Sequence, residues 1–109
     1  FHLFNHPMIS PTGEYCIFFH RYYKNIGGQR FDRIMLLNLK NNSLVELIPW
    51  GMASHMIWYD DETIFGYFMV RGKNSYYFIN IHDQNITELN ISNNSLSIFI
   101  RSLLNSGGK

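Results

Sequence analysis

Five histidines hold most of the chemistry this chain can offer: His2, His6, His20, His55 and His82. An imidazole can donate and accept a hydrogen bond at once, accept a proton or ligate a metal. Three of the five are placed suggestively. His6 and His55 occupy the same position in an internal repeat, each at or just before the first strand of its unit. His20 sits near the end of an apolar run, beside Arg21 and just before a loop over residues 22–32, with Arg33 just beyond it. Each has a structural reading beside the chemical one. His6 and His55 can join neighbouring units by hydrogen bonds, and His20 can cap a strand end. His82 falls in a predicted turn and is expected to be exposed, and His2 is given no role. Tyr22, Tyr23, Trp50 and Trp58 read first as packing residues and second as a platform for a sugar ring. Asp60, Asp61 and Glu62 read as a polar turn.

Several other chemistries are absent from the pattern. There is no Cys/His zinc spacing, no phosphate-cradling glycine loop and no Gly-x-Ser-x-Gly elbow. The formal charge of +1 comes with no cluster of Lys and Arg, which argues against nucleic acid as a partner. No stretch reaches the ~18 apolar residues of a membrane span. No signal peptide is visible, so a cytoplasmic location is expected. The single cysteine, Cys16, lies in an apolar run and reads as a small buried hydrophobe. Four of the twelve Asn residues fall in Asn-x-Ser/Thr triplets, which an Asn-rich chain generates by composition alone.

The elements that must position the histidines come from the repeat. Residues 33–47, RIMLLNLKNNSLVEL, align without a gap on residues 75–89, SYYFINIHDQNITEL. Asn38 falls on Asn80, Glu46 on Glu88 and Leu47 on Leu89. Upstream, residues 6–9 fall opposite residues 55–58, at a spacing of 49 rather than 42 residues. A period in the forties with four strands per unit marks a β-propeller blade. The first unit is predicted to have a short strand near Met8, then strands over 14–22, 32–39 and 44–48. The second is predicted to have strands over 53–59, 63–70, 75–82 and 86–89. Residues 10–13, 40–43, 59–62 and 82–85 supply the turns, where Pro, Gly, Asn and Asp suit the backbone. The second and third strands of each unit show little polar alternation, as strands covered on both faces do. The expectation is an all-β chain of two consecutive four-stranded antiparallel blades, residues 1–52 and 53–89. Residues 90–109 break the repeat: 96–100 fit a strand, 96–104 also fit one helix face, and 106–109 read as a frayed end.

His6-Pro7-Met8-Ile9-Ser10-Pro11-Thr12-Gly13-Glu14 resembles the opening of TolB-like (WD40-like) propeller repeats. Ile17-Phe18-Phe19-His20-Arg21, then Arg33-Ile34-Met35-Leu36, then Ala53-Ser54-His55-Met56-Ile57-Trp58 is similar to the order in oligogalacturonate lyase propellers and related bacterial propellers associated with polysaccharide genes. The likeness spans residues 5–81. It implies that His20 and Arg33 act at the active site and that His55 ligates manganese in the central channel. The chemistry implied is β-elimination from a uronate, in which a base removes a proton and a cation offsets the developing charge. Arg21-Tyr22 stands where that family has Glu-Gly, and its remaining metal ligands come from a later blade. The chain alone is therefore expected to be inactive, as a region of a larger propeller that binds or processes acidic carbohydrate. The alternative is a non-catalytic module for a protein or glycan partner. Two blades leave open faces, which invite further blades or self-association.

Overall fold

The computed structural model describes residues 1–25, 27–89 and 101. Eight strands form two sheets. The first holds β1 (His2–Ile9), β2 (Tyr15–Tyr23), β3 (Arg30–Asn38) and β4 (Leu44–Gly51), and the second β5 (Ala53–Trp58), β6 (Thr63–Val70), β7 (Lys73–Asn80) and β8 (Ile86–Glu88). Each sheet is a four-stranded antiparallel meander in chain order. Among the described residues no helix is long and apolar enough to cross a membrane. The expectations for residues 90–109 lie outside the described residues, Arg101 excepted.

The repeat seen in the sequence is a repeat in hydrogen bonding. Asn38 Oδ1 accepts from the backbone of Lys40 at 2.9 Å, and Asn80 Oδ1 accepts from His82 at 2.9 Å. Asn38 N–H donates to the Ser43 carbonyl and Asn80 N–H to the Asn85 carbonyl. Asn42 and Gln84 each take a left-handed φ, 62° and 60°, to close the turn. The short side-chain amide stabilises this turn by capping backbone donors that the strands leave free.

Several strand boundaries differ from expectation, and β4 runs on to Gly51 where 44–48 was expected. β1 runs eight residues rather than a short stretch near Met8. It does so by a bulge: Asn5 pairs with Phe19 and Met8 with Ile17, so His6 and Pro7 together oppose Phe18. Pro7 lacks an N–H and is tolerated at a bulge in an edge strand. His6 takes φ 55° there. β2 and β3 pair as far as Tyr23 and Arg30, so the loop expected over 22–32 shrinks to residues 24–29. β7 begins at Lys73, because Arg71 and Gly72 make a tight turn with φ 51° and 79°, and it ends at Asn80, whose Oδ1 caps the next turn.

The core lies between the sheets. Ile17, Phe19, Ile34, Leu36 and Ile48 of the first sheet meet Ala53, Met56, Ile64, Phe68 and Ile79 of the second. At Gly66 a Cβ would strike the His55 carbonyl and the Phe68 ring, so glycine is required for that approach. Asp32, 1% exposed, clasps the sheets from the same face. Its Oδ2 accepts from the Ala53 N–H at 3.1 Å, and its Oδ1 lies 3.2 Å from Arg21 Nε and 3.0 Å from Arg30 Nε. Arg21 donates to the Ala53 carbonyl at 3.3 Å and lies over the Phe19 ring.

Strand register also shows how the sheets stack. Matched by their pairings, the core residues Ile17, Phe19, Ile34 and Leu36 correspond to Phe65, Tyr67, Tyr76 and Phe78. Those four belong to the face of the second sheet turned away from the first, where Phe65 is only 3% exposed. Conversely, Ile64, Phe68, Tyr77 and Ile79 of the core correspond to Cys16, His20, Met35 and Leu37 on the open face of the first. The sheets therefore join by opposite faces, head to tail.

Candidate functional site

Strand alternation puts every second residue of the first sheet on its open face. His20 pairs directly with Arg33, Phe4 with His20, and Glu46 with Met35, two residues along β3 from Arg33. The four strands thus each place one polar side chain in a row across the sheet: His2, His20, Arg33 and Glu46. The row is continuous. Glu46 Oε2 accepts from Arg33 Nη1 at 2.8 Å, Arg33 Nε donates to His20 Nδ1 at 3.0 Å, and His20 Nε2 lies 2.9 Å from His2 Nδ1. Phe4 stacks on His20 at 4.5 Å, Trp50 lies 4.8 Å from it, and Arg33 lies over the Trp50 ring at 4.7 Å.

This wiring fixes the protons. Arg33 Nε always carries hydrogen, so His20 Nδ1 must accept. Neutral His20 then carries its proton on Nε2 and donates it to His2 Nδ1. Neutral His2 in turn carries its own proton on Nε2, at the exposed end of the row. Burial lowers the His20 pKa, and the neighbouring Arg33 charge and His2 lower it further. Protonation would also put a second donor against Arg33. His20 is held neutral, with both ring nitrogens engaged and 7% of its surface exposed. Outward the row presents two donors, the His2 Nε2–H and the Arg33 guanidinium, beside a Trp50 ring that is 41% exposed, and at its far end the exposed Glu46 carboxylate that already occupies Arg33 Nη1. Such a set suits an anion flanked by a flat apolar surface, and offers no free nitrogen on His20 to take a proton.

The structure brings His20 and Arg33 together and sets His55 apart. His55 pairs with Tyr67 and is itself exposed on the face of the second sheet turned away from the first, the side away from His20. Its repeat partner His6 differs in conformation. The bulge in β5 falls between Ala53 and His55, whereas that in β1 includes His6, which meets the Phe19 ring edge-on at 5.7 Å. Among the described residues no group of three or more His, Cys, Asp and Glu side chains is placed to hold a metal. The described residues thus supply His55 alone for manganese, and one imidazole does not hold an ion. Cys16, expected in the interior, is only half-buried on the open face, where burial raises its thiol pKa. His82 is exposed in its turn, 3.8 Å from Glu62.

His2 and Glu46 were not legible as site residues, and Trp50 reads from sequence only second as a sugar platform. Their meeting depends on the register of four strands, and His2 in a strand predicted to start later carried no signal. No protein-family model matches the chain, and no curated protein sequence matches it.

Proposed function

We propose that this chain is a blade pair of a TolB-like propeller and that its open-face row binds an acidic carbohydrate without cleaving it. The head-to-tail stacking of the sheets supports the blade reading, since propeller blades meet by opposite faces. The observation that carries the binding reading is the row's fixed direction. Arg33 sets the tautomer of His20 and, through it, that of His2, so the His2 end of the row offers donors suited to a uronate carboxylate, while Glu46 holds Arg33 Nη1 from the other end. Trp50 offers the flat surface on which a sugar ring can lie. Arg33 and His2 hold the carboxylate and His20 is a positioning residue. An elimination base is not part of this reading. His55 and manganese enter it only with ligands outside the described residues, and no chemical step is routed through the metal.

Calorimetric titration of the full chain with an oligogalacturonide, against a neutral oligosaccharide of equal length, tests this. Binding of the acidic sugar alone is expected, weakened roughly 10- to 100-fold by Arg33→Gln, since a hydrogen bond to a charged group contributes about 1.5–3 kcal/mol. Ultraviolet absorbance is expected to stay flat, because no unsaturated product forms. Equal binding of both sugars refutes the site, and rising absorbance refutes the non-catalytic part.

A further inference from the structure

A groove of about 570 Å³ lies over β7 and β8, and its walls come from the second sheet alone. Strand pairing sets those walls. Glu88 stands opposite Tyr77 and Ile86 opposite Ile79, so Lys73, Tyr77, Ile86 and Glu88 share the side that carries the core residue Ile79. Arg71, in the β6–β7 turn, lines one end, and Gln84, in the β7–β8 turn, lines the other. The length of β7 separates these ends, about 25 Å of strand at ~3.3 Å per residue. A groove of that volume and length averages roughly 23 Å² in section. That is close to one face of an extended strand, ~4.8 Å wide and half of the ~10 Å sheet spacing deep. Its polar groups divide sharply. Glu88 Oε1 accepts from Lys73 Nζ at 3.0 Å with Oε2 2.7 Å away, and Ser75 also donates to Glu88, so this pair is neutralised within the protein. Tyr77 Oη donates to the Lys73 carbonyl at 2.8 Å. Among the described residues, the side chains of Arg71 and Gln84 have no such partner. The groove thus offers an unpaired cation at one end, an amide at the other and an apolar middle, where Ile86 is 39% exposed.

We infer that this groove binds an extended peptide segment of about eight residues, with a carboxylate at the Arg71 end. Every second side chain of the peptide faces the floor, and the apolar ones rest on Ile86 beside Tyr77. The carboxylate meets Arg71, and the backbone at the far end meets the Gln84 amide. Two other ligand classes fit less well. Tyr77, the aromatic ring in the wall, is 5% exposed and cannot serve a sugar as a platform. An acyl chain would take water from Arg71 and Gln84 and give them no partner in return. The groove shares no residue with the His2–Arg33 row, so the inference stands apart from that reading.

Selection of phage-displayed random octapeptides on the full chain, read by sequencing, tests this. Selected peptides are expected to carry Asp or Glu at one end and apolar residues at alternate positions. Selection on Arg71→Glu is expected to move the preference at that end to Lys or Arg. Arg71→Asn, which tolerates the left-handed φ of 51°, replaces that variant if it loses its β-sheet circular dichroism. By fluorescence anisotropy, Arg71→Asn is expected to weaken a selected acidic peptide about 2- to 5-fold, as loss of an exposed ion pair does. Arg33→Gln is expected to leave the selected sequences as they are. No enrichment over the bare support overturns the inference, and so does an acidic end preference that persists on Arg71→Glu. Unchanged affinity in Arg71→Asn overturns it too. Peptides lost with Arg33→Gln and retained with Arg71→Glu sit on the row instead, and overturn it as well.

Discussion

Replacing Asp32 is expected to separate the energetic roles of charge and hydrogen bonding at the junction between the sheets. Asp32 is 1% exposed and faces Arg21, whose side chain is 11% exposed. Asp32→Leu strands the Arg21 charge in the interior and leaves the Ala53 N–H without its acceptor. Removing one partner of a buried pair costs about 3–5 kcal/mol. The lower half of that range is expected. Arg30, 38% exposed, can swing to water, and Oδ1 of Asp32 lies within reach of both arginines without hydrogen-bond alignment. Small domains have roughly 5–15 kcal/mol of total stability, so this loss is a large share. Urea unfolding followed by circular dichroism and by Trp58 fluorescence measures it. Trp58 reports the junction because its Nε1 donates to the Met8 carbonyl of the other sheet at 2.8 Å. The double variant Asp32→Leu/Arg21→Met is expected to recover most of the loss, since apolar replacement of a buried pair is near neutral. A double variant no more stable than Asp32→Leu refutes the charge argument and assigns the loss to the Ala53 hydrogen bond.

Further outcomes follow from the same geometry. The folded-state pKa of His20 lies below its ordinary value of 6.5, so the unfolded chain takes up the proton first as pH falls. Stability contributed by neutral His20 is therefore complete above that ordinary value and is lost as pH drops from it toward the lowered folded value. His20→Gln is expected to flatten this part of a stability–pH profile, and an unchanged slope contradicts the assignment. Asn38→Ala and Asn80→Ala are each expected to cost about 1 kcal/mol in urea unfolding, because each amide oxygen caps its turn through two N–H groups. Costs differing by more than about 1 kcal/mol would show that the turns are not equivalent. Gly66→Ala is expected to lower stability by about 1–3 kcal/mol, as a core residue forced against fixed backbone does. A neutral Gly66→Ala in the same assay would mean that β5 can move away from β6.

The gapless match of 33–47 on 75–89 made the two hairpin turns and the strands around them readable, because turn chemistry is local and period 2 needs few residues. The faces were not readable. β2 carries Ile17 and Phe19 on one side and Phe18 and His20 on the other, and both sides look fit for burial. Only the register against β3, and the contacts of β3 with β5, decide which side meets the second sheet. Asp32 shows the same difficulty. In sequence it is one acidic residue near the end of a loop, and its burial arises from two arginines and an N–H brought from three strands. His20 and Arg33 were picked out by resemblance. Their direct pairing across β2 and β3, and the row that extends to His2 and Glu46, came from the ladder.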